Sequence, residues 1–242
     1  MNVFALSPER DRMSDGASQP LAICGKQLLA DMSGALYWPG ERALIVADLH
    51  LEKASAHAER GTLLPPYDTR ETLERLATVV ERYDPEVVIS LGDSLHDRGA
   101  AERISSGDLA ALRILQEDRR WIWITGNHDP EIGHQLGGEV VDGLAVGGLR
   151  LVHLPTDGHA THEIAGHLHP AARLSLYGHT LRRPCFIGNR LRLVLPAFGT
   201  FTGGLNVLDP AFLPLFGNDG FGVWMLGQEG VYPVATRQLY GD

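Results

Sequence analysis

Val87-Val-Ile-Ser-Leu-Gly-Asp-Ser-Leu-His96 decides the fold: an apolar, β-branched run meets Gly92 and then an acid and a histidine. A short run of this kind, bounded by Gly and Asp, reads as a buried strand whose end carries chemistry. The arrangement recurs at Ala43–Ala47 before Asp48-Leu49-His50, and at Trp121–Thr125 before Gly126-Asn127-His128-Asp129. It recurs again at Leu149–Val152 before His153, and at His162–Ala165 before Gly166-His167-Leu168-His169. Strands lying side by side in one sheet share an edge at their carboxyl ends, where open α/β sheets place ligands. The five loops are therefore expected to converge.

The rest of the chain is consistent with one folded domain. Its 242 residues are 44% hydrophobic, enough for a full core, and no Pro/Gly/Ser linker divides it. Residues 1–20 are polar and lack the apolar core of a signal peptide, and no later run approaches a membrane span. They are expected to form a flexible tail ahead of a domain over 21–242, in a cytoplasmic protein. Cys24 and Cys185 are far apart and form no CxxC spacing, so both are expected as reduced thiols.

A net charge of −9 argues against a protein coated in nucleic acid. Between Ile164 and Leu208, however, there is no acid, while Arg173, Arg182, Arg183, Arg190 and Arg192 all fall there. Such a stretch can hold a phosphate chain locally or form a solvated strand face.

Short apolar runs at Leu21–Cys24, Gln27–Ala30 and Ala35–Trp38 predict a meander leading into the strand before Asp48. Leu73, Leu76, Val79 and Val80 form a helical stripe over Thr69–Arg82, with Asp68 or Thr69 as N-cap. A second helix is predicted over Ala101–Asp118 from Ile104, Leu109, Leu112 and Leu115. Strands alternating with helices, followed by short strands with few helices after Val140, imply an α/β fold. A four-layer α-β-β-α sandwich of two mixed sheets fits that order.

Asp48/His50 and His167/His169 are spaced i, i+2, and side chains of a regular strand alternate faces. Both members of a pair can face one site only where strand gives way to loop, leaving Leu49 and Leu168 free to enter the core. The carboxylates, amide oxygen and imidazoles of the five pieces suffice for two adjacent metal ions. That donor set suits Mn, Fe, Co or Zn better than Mg. Two such cations about 3.5 to 4 Å apart lower the pKa of a shared water and clamp both oxygens of an in-line displacement at phosphorus. Phosphoester hydrolysis is the reaction such a site suits best.

The order DxH, GDxxx, GNHD, H, GHxH from Asp48 to His169 resembles the calcineurin-like metallophosphoesterase superfamily, whose fold is the same sandwich. The resemblance implies that Asp48, His50, Asp93 and His169 hold one metal. Asp93, Asn127, His153 and His167 would hold the other, with Asp93 as bridge. It also implies that His128 protonates the leaving oxygen while Asp129 orients its ring. Phosphatases of the superfamily carry Asp three residues after the bridging Asp; here that position is His96. This is similar to superfamily nucleases in which a second histidine positions a nucleic-acid phosphodiester.

Asp48-Leu-His-Leu-Glu-Lys53, Leu63-Leu-Pro-Pro-Tyr-Asp-Thr69, Gly92–Asp97, Pro184-Cys-Phe186 and Leu195-Pro-Ala-Phe-Gly-Thr-Phe-Thr-Gly-Gly204 more closely resemble bacterial ligase-associated DNA-damage-response endonucleases. That likeness implies manganese-dependent cleavage of single-stranded DNA, alongside an Lhr-type helicase, an exonuclease and an ATP-dependent DNA ligase. Lys53, Arg60, Tyr67, Arg98, Arg182 and Arg183 are candidate substrate-binding residues, although Arg98 could pair with Asp97. The Gly-rich, aromatic run over Leu195–Gly204 is expected to be either a loop wall near the site or a tight sheet corner. His57, His134, His159, His162 and His179 have no motif partner and are expected to be surface or structural. Two other functions remain open on the residues: a phosphodiesterase or phosphatase for a small soluble phosphoester, and a non-catalytic scaffold of the same fold.

Overall fold

The computed structural model describes residues 16–158, 162–176, 178–217 and 220–242; His159 and most of the expected tail lie outside them. A first sheet carries β1 (Ser18–Ile23), β2 (Lys26–Asp31), β3 (Leu36–Trp38), β4 (Ala43–Val46), β5 (Val87–Leu91), β6 (Arg120–Ile124) and β7 (Glu139–Val141), side by side in chain order. β1 to β4 form the antiparallel meander, and β4 to β7 run parallel. Ser18–Pro20, expected in the tail, already pair with Leu29–Asp31.

Helices α1 (Lys53–Glu59) and α2 (Asp68–Tyr83) connect β4 to β5, and α3 (Ala100–Arg103) and α4 (Ser106–Gln116) connect β5 to β6. The predicted single helix over Ala101–Asp118 is thus two helices. Ser105 has extended backbone, and its hydroxyl accepts from the Asp108 N–H as the N-cap of α4. α2 has the predicted buried stripe, but its N-cap is Tyr67. The Asp68 carboxylate instead accepts from Ala54 N at 3.0 Å, and the Thr69 hydroxyl from Glu52 N at 2.8 Å, so both tie α2 to the start of α1.

The second sheet holds β8 (Leu144–Val146), β9 (Leu149–Val152), β10 (Glu163–Ala165), β11 (Pro170–Leu176), β12 (His179–Gly188), β13 (Arg192–Val194) and β14 (Leu205–Asn206). Their order is β14-β11-β12-β13-β10-β9-β8, and β15 (Gly222–Leu226) joins β12 and β16 (Val231–Val234). Alternation along the strands makes three apolar layers. Ile45, Ile89, Leu91 and Ile124 meet Leu151, Ile164, Phe186 and Leu193 between the sheets. On the other face of the first sheet, Leu44, Val46, Val88 and Trp123 meet Leu73, Leu76 and Leu112 of the helices. Ala172, Cys185, Ile187 and Val223 pack under Phe212, Leu215 and Phe216, where the outer layer is the single-turn helix α5 (Leu213–Phe216). The sandwich is therefore as expected, with one outer layer thin.

The arginine-rich stretch does not form one basic surface. Arg192 is buried, its Nε 3.0 Å from Glu163 Oε1 and its Nη1 donating to Leu215 O at 2.8 Å. Arg173 and Arg182 each lie 3.7 Å from Asp242. Removing one partner of a buried pair leaves an uncompensated charge. Glu163→Ala is therefore expected to cost about 3–5 kcal/mol of stability, seen as a lowered urea midpoint with unchanged slope.

Candidate active site

The five loops converge, but from two sheets rather than the single one first expected. β4, β5 and β6 of the first sheet bring Asp48/His50, Asp93 and Asn127, while β9 and β10 of the second bring His153 and His167/His169. The spacing problem of the i, i+2 pairs is solved by left-handed backbone. Asp48, His50, Asp93, His167 and His169 have φ of 55°, 44°, 46°, 72° and 45°. Non-glycine residues seldom adopt this region, and clustering of such outliers marks a functional site. Leu49 is buried against the helices, and Leu168 packs against the outer core, as the pattern requires.

Two motif glycines are dictated by close approach. A Cβ on Gly92 would lie 2.5 Å from the His153 ring, and one on Gly126 would lie 2.2 Å from Asp93 N and Oδ1. No side chain fits at either position without displacing a site residue.

The expected ligands gather into two groups, Asp48/His50/His169 and Asp93/His153/His167, each with its donor atoms within 4.8 Å of one another, and His50 forms a third such group with His96 and His128. Asn127 joins the second group through Oδ1, 2.8 Å from His153 Nε2. Asp93 Oδ2 lies between them, 3.4 Å from His153 Nε2 and 4.0 Å from His50 Nε2. Three observations fit a pair of cations here. Asp48 Oδ1 is buried with no hydrogen-bond partner among the described residues. Ring nitrogens face each other at 3.3 Å (His50 and His169) and 3.1 Å (His153 and His167). His153 Nδ1 faces Leu91 O at 2.8 Å, which puts the proton on Nδ1 and leaves the Nε2 lone pair for a metal.

The electrostatics agree with this. Burial, and then His169, lower His50 to about 3, and burial with the neighbouring His153 lowers His167. Burial also works against the Asp93 charge, but the His153 ring and the His128 N–H hold its pKa down at about 2. For His153 the nearby Asp93 and Asp48 outweigh burial and raise it. Neutral His50 and His167 beside an ionised Asp93 are the protonation state that metal binding requires, whereas His153, held toward its charged form, has to release a proton to a metal.

His128 stands beside this centre with its side chain 44% exposed, Nε2 being 4.0 Å from Asp93 Oδ2. Its Nδ1 meets the backbone carbonyl of His96 at 2.9 Å. Asp129, expected to orient that ring, instead accepts from the backbone N–H groups of Ser94, Leu95 and Gly126 at 2.7, 3.0 and 3.0 Å. It braces the loop after β5 against the loop after β6, and burial raises its pKa to about 6. The His96 ring stacks on His128 at 5.7 Å, and His57 stacks on His96 at 5.8 Å. His57 therefore belongs to the site's surroundings, a role no local motif could reveal, because α1 brings it there. Burial, Lys53 and His128 lower His96 to about 4.

Among the other candidates, Lys53 is half-buried and electrostatically coupled to both His50 and His96. Tyr67 and Arg98 are exposed. Asp97 does not pair with Arg98; Arg103 reaches both its oxygens, at 2.8 and 2.9 Å. Arg182 and Arg183 wall a cleft that also touches His169. The run over Leu195–Gly204 is a wall of the site: Phe198 N donates to Ala47 O, Gly199 N to Asp48 O, and Leu205 N, just beyond it, to His169 O.

A two-sheet sandwich with paired carboxylate and imidazole clusters at one edge defines a metal-dependent phosphoesterase. The sequence profile of the calcineurin-like phosphoesterase family matches residues 41–181, and the chain belongs to that family. The crystal structure of the Pseudomonas putida nuclease MPE is similar at 35% identity and a TM-score of 0.69, over 90% of this chain and 100% of that one. YfcE, a phosphoesterase from E. coli, aligns at 14% identity and a TM-score of 0.40, over 80% of this chain and 98% of that one. No curated protein matches the chain in sequence. Among the described residues, no helix is long and apolar enough to cross a membrane.

Ligand binding to the folded state alone stabilises it. Manganese is therefore expected to raise the thermal midpoint and a chelator to reverse the rise. Asp93→Ala should lose most of the shift and hold fewer than two metals by elemental analysis.

Proposed function

We propose that the chain is a two-metal phosphodiesterase that cuts single-stranded DNA internally, with manganese as its metal, in cytoplasmic DNA repair. By the same reading it works alongside an Lhr-type helicase, an exonuclease and an ATP-dependent DNA ligase. The observation that carries the reading is the His96–His128 pair beside Asp93, at the position where a phosphatase of the family would carry an acid. The full-length similarity to a nuclease supports it.

The residues divide the work. Asp48, His50, Asp93 and His169 would hold one cation, and Asp93, Asn127, His153 and His167 the other. The pair, when bound, supplies Lewis acidity for the phosphoryl group and for the attacking water. His128 is the general acid. Its charged form keeps Nδ1–H on the His96 carbonyl and presents Nε2–H to the site. Transfer of that proton to the departing sugar oxygen leaves the neutral tautomer, whose Nδ1–H is already satisfied. His96 packs against the ring and limits its swing.

The test is closed circular single-stranded DNA with manganese, using wild type and His128→Ala, with bis(p-nitrophenyl) phosphate alongside. Linear product is expected from the wild type only, with both metals retained in the variant, because a circle offers no end to an exonuclease. An intact circle with rapid bis-ester hydrolysis would move the substrate to a small phosphodiester.

A further inference from the structure

His128 is aimed by contacts that all pass through His96. The His96 carbonyl meets His128 Nδ1 at 2.9 Å, and the His96 ring stacks on the His128 ring at 5.7 Å. His96 is in turn held from behind. Its N–H donates to Leu51 O at 3.0 Å, and its other ring face is backed by His57 of α1 at 5.8 Å. Stacked rings at such distances contribute little by themselves. The alignment of the three imidazoles therefore depends on how firmly α1 is fixed to the loop after β5.

One side chain makes that junction. Arg103, the last residue of α3, is largely withdrawn from water, its side chain 19% exposed. Its Nη2 donates to both oxygens of Asp97, at 2.8 and 2.9 Å, so it grips the residue that follows His96. Its Nε donates to Ser55 Oγ at 2.9 Å, and its Nη1 donates to Glu59 Oε2 at 3.4 Å. Ser55 and Glu59 lie on either side of His57 along α1. The Ser55 hydroxyl donates to Glu52 Oε2 at 2.7 Å, two residues past His50, so the same network reaches the first ligand loop. A planar guanidinium with five donors sets its partners at fixed angles, which a flexible ammonium does not. None of these partners is a metal ligand, and the charge of Arg103 is spent within the network instead of on the reacting group.

We infer that Arg103 is a positioning residue for His128: by locking Asp97 to α1 it fixes the His96 carbonyl and the stack of His57, His96 and His128, and so sets where the acid's Nε2 points. The inference rests on the reading of His128 as the general acid. A leaving group that departs as a stable anion has little need of a proton, whereas a basic one depends on it. The test therefore compares the p-nitrophenyl and phenyl esters of thymidine 5′-phosphate, with manganese-loaded protein and the released phenols followed by chromatography. His128→Ala is expected to slow the phenyl ester far more than the p-nitrophenyl ester. Arg103→Gln is expected to lower the ratio of phenyl to p-nitrophenyl kcat about tenfold, with KM and both metals retained. Asp97→Asn, which breaks the same junction from its other side, should shift the ratio in the same direction, and added ethylguanidinium should restore it in Arg103→Ala. A wild-type ratio in both Arg103→Gln and Asp97→Asn, whether or not the rates fall, would overturn the role of Arg103 and leave the acid reading standing. No turnover of either ester by the wild type, or a ratio unmoved by His128→Ala, would overturn the acid reading and the role of Arg103 with it.

Discussion

Two buried carboxylates must be held together without neutralising each other's function, and the fold is arranged around that constraint. Each uses one oxygen for the backbone and keeps the other for the site. Asp48 Oδ2 accepts from His167 N at 2.9 Å, and Asp93 Oδ1 from His128 N at 2.9 Å. The first bond joins the loop after β4 to the loop after β10, across the gap between the sheets. The second joins the loops after β5 and β6 within one sheet. The remaining oxygens, Asp48 Oδ1 and Asp93 Oδ2, face the imidazoles. Both bonds fix the loop geometry, and at Asp93 the His128 N–H also helps to hold the carboxylate charged.

That arrangement leaves polar atoms without hydrogen bonds: Asp48 Oδ1, His50 Nδ1 and His96 Nδ1 are buried and unsatisfied among the described residues, although His169 Nε2 lies 3.3 Å from Asp48 Oδ1. Buried polar groups are ordinarily paired, and a cluster that breaks this rule in several places at once is preorganised for a ligand. The left-handed backbone at five ligand residues has the same meaning, since the loops hold conformations that local preference disfavours. The sandwich over-determines those conformations through the three apolar layers beneath them.

The parts of this structure legible in the sequence were those with local causes. β5 and β9 have the bounds that their apolar runs predict, and the stripe of α2 is buried as periodicity requires. The ligand residues could be picked out because each follows such a run. What escaped depends on partners distant in the chain. Helix α3–α4 was read as one because the capping role of Ser105 competes with a continuous apolar pattern. Asp68 and Thr69 looked like caps for α2, but they bond to the start of α1. Asp129 sits next to His128 in sequence, yet serves the backbone of Ser94 and Leu95. For the arginine-rich stretch the sequence leaves a phosphate track and a solvated strand face both open, because Glu163 and Asp242, which pair with Arg192, Arg173 and Arg182, lie outside it.

The run from Leu195 to Gly204 bears on the order of assembly. Its backbone donates to Ala165 through Leu195, to Ala47 through Phe198 and to Asp48 through Gly199, thus stitching both sheets at their ligand-bearing ends. A Cβ on Gly199 would lie 2.0 Å from Leu49 O, so the stitch is in direct backbone contact with the first ligand loop. The Phe198 and Gly199 contacts span some of the longest sequence separations among the described residues, and contacts of that kind are slow to close. During synthesis the meander and the first helices can pack early, whereas the metal centre is braced only after the second sheet has emerged. The ligand-bearing ends of both sheets are thus joined by backbone from the last quarter of the chain, and a nascent chain that stops before Leu195 lacks that brace.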